Sequence, residues 1–592
     1  MFYRSLTEEQ SVRVRRARPV IALALVAFAI GAIVGANSGS SASDALAARF
    51  VTAWSRGDYA AMYADVDPAT KRSLSADGFA AAYAEAMRTA TATSLRALGK
   101  PRPAPGGYVS VPLGVSTRLF GALRLDVRLH VVSDAEGREA IAWSPSLAFP
   151  GMQPGEALTR QTTLPPRAKL LARDGSVLAE GNPSEAGTRS SPLGTVASAA
   201  IGEVGPIPGS RRDALEAQGV PANAIVGTSG LERALDAQLR GTPGGELLAG
   251  HRVLASALPH AAHSVRTSVS PAVQQAAVAA LGSQLGGVVA LEPSSGQILA
   301  VAGIGLNSVQ PPGSTFKMVT LTGVLSAHVA TPATVFPYAT YATLDGVKLS
   351  NANGEECGGS LELAFAVSCN SVFSPLGVKL GAPRLVAIAE RFGFNHEPGI
   401  EGAAESTLPA ASSIQGELDV GSTAIGQGQV QASALEMAIV AASIADGGRR
   451  PRPAFTLEPP AAGAYVTSAN VAHTVRRLMI EVVRKGTGTS ATIPGVTVAG
   501  KTGTAELKTE CSSSSPGESP SGEAAKHESE SASGCAGAAN EASNTDAWFA
   551  SFAPALHPRI AVCVLLVKDG AGGDTAAPVA REVLEAGLKA SS

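Results

Sequence analysis

Three short constellations in this 592-residue chain could do chemistry. Ser314-Thr315-Phe316-Lys317 sets a hydroxyl and an amine three residues apart at the head of an apolar run. On a helix, residues i and i+3 share a face, so the Lys317 amine lies one turn above the Ser314 hydroxyl. A serine is a poor nucleophile until a base takes its proton, and a lysine can be that base if burial or a second cation lowers its pKa. Alone the spacing is weak, because Ser314 could equally cap a helix, although no other Ser-x-x-Lys occurs in the chain. Ser368-Cys369-Asn370 offers a second hydroxyl, suited to relaying a proton, and an amide that could hold a substrate carbonyl. Ser468-Ala469-Asn470 has the same spacing and reads as a helix cap, so only context separates the two. Lys501-Thr502-Gly503-Thr504 follows a strand-like run at 496–499; its ammonium and hydroxyls suit a carboxylate, and Gly503 admits a ligand backbone.

Residues 495–502 also fit the phosphate-loop formula G-x-x-x-x-G-K-T. That formula needs a Gly-rich turn before the lysine and a helix after it. Here the middle residues are strand-like, and a low-complexity stretch soon follows. A nucleotide site is therefore disfavoured.

The elements around these motifs belong to several domains, since one core rarely serves so long a chain. From residue 266 onward, a helix at 271–281 precedes a hairpin of 287–293 and 297–302. Helical patterns follow at 315–326, 361–367, 383–392, 432–446 and 469–484, then strands at 496–499, 547–552 and 560–567 and a last helix from Ala577. Strands at both ends with helices between imply one sheet completed by the C-terminal segment. Residues 41–150 read as helices followed by a meandering sheet, a small α+β domain. Residues 151–265 are rich in Gly, Pro and short strands, an irregular pedestal. Residues 507–545, mostly Ser, Gly, Glu and Ala, read as a disordered insertion at a hairpin tip.

A short tail, 1–18, carries Arg13, Arg15, Arg16 and Arg18 ahead of an uncharged apolar run at 19–36. About 17 apolar residues just span a bilayer, and the arginines place the tail in the cytoplasm and the rest outside. A cleaved secretory signal ending near Ser41-Ala42-Ser43 is the competing reading; both export the chain. The net charge of −2 gives no reason to expect nucleic acid. No CxxC or His/Cys spacing marks a metal site, and no cofactor is called for. Of five cysteines, Cys511 and Cys535 flank the insertion and could pair, as could Cys357 and Cys369, leaving Cys563; several could equally be buried thiols.

In this order, the three motifs form the signature of serine acyl-transfer enzymes that react with penicillin. The chain resembles a class B, monofunctional penicillin-binding protein over nearly its whole length. Gly227-Thr228-Ser229-Gly230-Leu231-Glu232 is similar to the pedestal motif of that family, Gly426-Gln427-Gly428 to its Gly-Gln-Gly segment, and Asp546-Ala547-Trp548-Phe549 to the strand after the lysine motif. Residues 45–150 resemble the nuclear-transport-factor-like domain of a subgroup that includes resistance-type proteins. Cys369 inside the second motif, Ala432-Ser433 where Thr-Pro is usual, and the insertion depart from the pattern.

The resemblance implies a single transmembrane helix, a nuclear-transport-factor-like domain, a pedestal or dimerisation domain and a transpeptidase domain whose antiparallel sheet is flanked by helices. It implies a peptidoglycan D,D-transpeptidase, inhibited by β-lactams, that acts on stem peptides outside the bacterial membrane beside a glycan polymerase. Ser314 would attack, Lys317 act as base, Ser368 relay a proton, and Asn370 orient the peptide. Lys501, Thr502 and Thr504 would hold the terminal carboxylate, Gly503 would let the substrate backbone approach, and the backbone N–H groups of Ser314 and Thr504 would hold the oxyanion. A D,D-carboxypeptidase or β-lactamase, and a non-catalytic scaffold or β-lactam sensor, are the alternatives.

Overall fold

The computed structural model describes residues 41–133, 137–183, 185–458, 463–506 and 544–590. The expected tail and anchor, the insertion apart from its last two residues, and Cys511 and Cys535 lie outside them. The described residues divide into two units: those within 41–164, 209–222 and 243–260 form one, and the other described residues the second. The span 151–265 is thus shared between them.

In the first unit, four helices precede the sheet. Ala42–Ser55 starts at a capping box of Ser41 and Asp44, and Ala76–Thr89 is capped by Ser75. Two short helices, Tyr59–Ala64 and Pro68–Ser73, stand on Asp58 and Asp67; they were not legible as periodic patterns because each spans under two turns. An antiparallel sheet runs in the order Ala92–Ala97, Tyr108–Thr117, Ala122–Ser133, Glu139–Ile141. Buried residues alternate along Tyr108–Thr117, which fixes one face against Phe50, Trp54, Phe79 and Tyr83.

The second unit is built on a five-stranded antiparallel sheet ordered Ile298–Gly303, Gly286–Leu291, Ile560–Leu566, Thr545–Ala553, Ala499–Glu506. The C-terminal strands thus enter between the first hairpin and the lysine-motif strand. Both faces are covered, so Ile560–Leu566 and Thr545–Ala553 are buried at every position. Helix Ala434–Ala445 lies against one face and is itself wholly buried; Pro271–Leu281 and Ala576–Ala590 lie on the other.

Two expectations need correction. The strand read at 496–499 starts only at Ala499 and continues to Glu506, so Lys501-Thr502-Gly503-Thr504 is the strand itself. The β-branched residues Val496 and Val498 suggested a strand, but Ala499–Glu506 is the run that finds a ladder partner. The phosphate-loop alternative fails on the same observation, because Lys501 lies inside a strand rather than at the head of a helix. Helices Asn370–Leu380 and Gly416–Ala424 were missed: Pro375 and Gly377 interrupt the first, and Gly416 and Gly421 the second. Burial against neighbouring helices outweighs those poor propensities.

The pedestal motif is anchored electrostatically. Glu232, fully buried, accepts from Arg167 Nε and Arg189 Nε at 2.7 Å each, while Asp236 accepts from Arg167 Nη1 at 2.8 Å and Arg240 Nη1 at 2.7 Å. Gly227 is irreplaceable for a different reason: a Cβ there would lie 1.9 Å from the Glu232 carbonyl oxygen.

Candidate active site

Ser314 lies in a single 3₁₀ turn, Gly313–Phe316, that runs directly into helix Lys317–Ser326. In a 3₁₀ turn residues i and i+3 eclipse, so Ser314 and Lys317 share one face. Gly313 opens the turn at φ +51°, and its N–H donates to the Gly426 carbonyl at 3.0 Å. Gly426, at φ +74°, would drive a Cβ to 2.1 Å from the Gly313 oxygen. The Gly-Gln-Gly segment is therefore a backbone buttress for the turn that carries Ser314. Gly503 is tight on the other side, where a Cβ would meet the Pro312 oxygen at 2.7 Å and Thr315 Cγ2 at 3.0 Å.

The second motif joins helices Leu361–Ala366 and Asn370–Leu380. Ser368 sits in the left-handed region at φ +62°, a conformation costing a residue with a Cβ about 1 kcal/mol or more. Next to it, Cys369 is bonded to Cys357 at the start of strand Cys357–Ser360. This bond ties the strained corner to a neighbouring strand. Asn370 Nδ2 donates to the Ser350 carbonyl at 2.9 Å, which leaves its oxygen facing inward. Ser468, by contrast, caps helix Ala469–Lys485 by accepting from Val471 N–H, as its spacing suggested.

Two lysines converge on this corner. Lys317 Nζ donates to the Ser368 carbonyl at 2.6 Å and to Asn370 Oδ1 at 2.7 Å, and lies 3.3 Å from Ser368 Oγ. Lys501 Nζ donates to Ser368 Oγ at 2.8 Å and to the Thr502 carbonyl at 3.0 Å. Both side chains are fully buried, each about 5.6 Å from a phenylalanine ring, Phe373 for Lys317 and Phe365 for Lys501. None of these partners is an anion. Burial, with the Lys501 charge adding to it, holds Lys317 well below the ordinary lysine range. Burial brings Lys501 down to about 7.

A cavity of about 410 Å³ opens over the cluster, lined by Ser314, Ser368, Asn370, Gln427, Thr502 and Thr504. Thr502 and Thr504 are two apart on their strand and so present one face. The Thr502 hydroxyl is held at 2.5 Å by Thr487, a partner that no motif announced. Among the described residues, strand Ala499–Glu506 is the last of its sheet, so its outer row of N–H and C=O groups has no strand partner among them. All three sequence motifs thus line one cleft. Glu355, Glu506 and Asp574 line it too. Of these, strand alternation from Thr502 could have revealed Glu506, but nothing in the sequence marked the other two.

Comparison with known proteins identifies the domains that carry these residues. The penicillin binding protein transpeptidase domain matches residues 286–585, the penicillin-binding protein dimerisation domain 183–251, and the NTF2-like N-terminal transpeptidase domain 42–156. The peptidoglycan D,D-transpeptidase PbpA of Mycolicibacterium smegmatis is 31% identical over 438 residues, 62% of this chain and 80% of the relative. Among solved structures, PBPA from Mycobacterium tuberculosis superposes with TM-score 0.54 at 26% identity, covering 71% of this chain and 99% of that one. A penicillin G acyl-enzyme complex of that protein gives TM-score 0.53 at 26% identity, with 72% and 99% coverage.

Proposed function

This chain belongs to the penicillin-binding protein transpeptidase family, and we infer that it is a peptidoglycan D,D-transpeptidase acylated at Ser314 and a target of β-lactams. The observation that carries the assignment is the convergence of two buried lysines on Ser368 Oγ beside Ser314.

Lys317, its pKa lowered by burial and by the Lys501 charge, takes the Ser314 hydroxyl proton as the oxygen attacks the penultimate D-alanine carbonyl. The backbone N–H groups of Ser314 and Thr504 receive the oxyanion. Ser368, hydrogen-bonded to both lysines, passes a proton to the departing D-alanine amine. Asn370 orients the peptide amide. Lys501, with the Thr502 and Thr504 hydroxyls, holds the terminal carboxylate, whose charge favours the protonated lysine. An extended stem peptide lying along the outer edge of Ala499–Glu506 would pair with its free backbone row. The acyl group then passes to an amine of a neighbouring stem, breaking the Ser314 ester and forming an amide.

The arginine-flanked apolar run at 19–36 anchors the chain in the membrane with its bulk outside, where peptidoglycan lies. A glycan polymerase in the same membrane is the partner that supplies strands to cross-link. The domain limits in this reading are 41–150, 151–265 and 266–592.

Incubation of the full chain with a labelled penicillin, followed by peptide mapping, tests the assignment. A stoichiometric, long-lived adduct on Ser314, absent in Ser314→Ala, is expected. Rapid turnover of the drug would instead make the protein a β-lactamase, and a folded protein with no adduct and no reaction with a stem-peptide thioester would leave a non-catalytic scaffold.

A further inference from the structure

The transpeptidase reading names what happens at the scissile bond but not what the rest of the cleft selects. Strand Ala499–Glu506 supplies three consecutive cleft-facing positions, Thr502, Thr504 and Glu506, all lining the same cavity as Ser314. Alternate residues on a strand are about 6.8 Å apart. If Thr502 receives the terminal carboxylate and the Thr504 N–H the scissile carbonyl, an extended donor peptide continues along the edge towards Glu506. The side chain that arrives there belongs to the residue preceding the D-Ala-D-Ala pair.

The charge at that point is unambiguous. Among the described residues, every charged residue lining the cavity is acidic: Glu355, Glu506 and Asp574. The positive charge of the site is confined to Lys317 and Lys501, both fully buried beneath it. Among the described residues Glu506 has no ion-pair partner, and burial pushes its carboxyl above the ordinary range although the residue as a whole is exposed. An arriving cation would reverse that penalty.

Resting on the transpeptidase assignment, we infer that Glu506 is a specificity-determining residue that receives a cationic side chain, the free amine of a diamino acid, on the donor residue preceding D-Ala-D-Ala. An anionic or capped side chain at that position meets a like charge or an unfilled contact. A pair of this exposure discriminates by about fivefold and weakens as salt rises.

The test is Ser314 acylation of the full chain by three donor peptides that differ only in the residue before D-Ala-D-Ala: lysine, Nε-acetyl-lysine and glutamate. The wild type should favour lysine over acetyl-lysine by about fivefold in kcat/KM at low salt, with glutamate slowest. Glu506→Gln should bring the lysine to acetyl-lysine ratio near one, Glu506→Asp should restore it, and Glu506→Lys should turn the order towards glutamate. Each ratio is read within one protein, so a general loss of activity cancels. No preference in the wild type, or one that survives in Glu506→Gln, overturns the inference. A folded wild type that neither these donors nor penicillin acylate at Ser314 overturns the transpeptidase assignment and this inference with it, whereas penicillin acylation without donor selectivity overturns this inference alone.

Discussion

Lys501 and Ser368, 133 residues apart in the chain, meet at 2.8 Å, and the Lys501 ammonium is one of the two reasons that Lys317 is held below its ordinary range. The second and third motifs therefore act on the first. Ser368 Oγ is a junction between Lys317 and Lys501, and the arrangement can be tested at both ends.

Removing the like charge should move the base. In Lys501→Met, the Lys317 pKa rises, because one cause of its depression is gone. The ascending limb of the pH profile for Ser314 acylation reports Lys317 losing its proton, so it should shift to higher pH. Stopped-flow acylation across a pH series measures this, and a limb that stays in place argues against Lys317 as the base. Lys317→Ala should slow acylation by about a thousandfold or more.

The same substitution should stabilise the fold. With its folded pKa at about 7, below its unfolded value, Lys501 binds fewer protons folded than unfolded between those two values. Its burial therefore costs stability most at pH 7 and below, and the cost fades as pH rises towards about 10.4. Lys501→Met should raise stability by about 2 kcal/mol near neutral pH and by progressively less above it. Thermal melts at pH 6, 8 and 10 would show the trend; a destabilised variant at neutral pH would contradict it.

The Cys357–Cys369 bond closes a short loop of sequence separation 12 and abuts the left-handed Ser368. Replacing both cysteines by serine should cost about 3 kcal/mol, the loop-closure value for this length. It should also slow acylation, because the strained corner loses its tie. Denaturant melts and acylation rates of the double variant check both, and reduction of the wild type should reproduce them.

Gly426→Ala should disable the site from outside the reacting atoms. The added Cβ would fall 2.1 Å from the Gly313 oxygen at a position of φ +74°. Displacing that backbone tilts the turn that carries Ser314. A loss of acylation of about a hundredfold is expected, with a stability loss of about 2 kcal/mol or more. Unaltered acylation kinetics would mean the turn does not depend on this buttress.

Glu232→Ala should unfold rather than inactivate. It would strip the buried carboxylate from Arg189 and one of two from Arg167, which keeps Asp236, leaving the Arg189 charge uncompensated at a cost of about 3–5 kcal/mol. Equilibrium unfolding measures the loss; near-wild-type stability would show that the arginines find other partners.

Much of this was legible in the residues themselves. Long segments with clear periodicity, such as Pro271–Leu281 and Ala469–Lys485, form helices where their apolar spacing and caps indicate. Helix Asn370–Leu380 escaped detection because Pro375 and Gly377 obey tertiary burial rather than local propensity. The lysine-motif strand was placed several residues early for a related reason. Ala, Gly, Lys and Thr carry little strand signal, and Ala499–Glu506 becomes a strand because Thr545–Ala553 is there to pair with it.

The sequence by itself determined the reaction class, because a nucleophile, its base, a proton relay and a carboxylate-binding pair are recognisable by type, spacing and order. Only the tertiary structure decided that Lys317 and Lys501 share one hydroxyl, that no anion among the described residues partners them, and that burial lowers both their pKa values. It alone set Glu506 in line with Thr502 and Thr504 in the cleft. Those properties depend on desolvation and on distances across elements far apart in the chain, and the physics of a short motif contains neither.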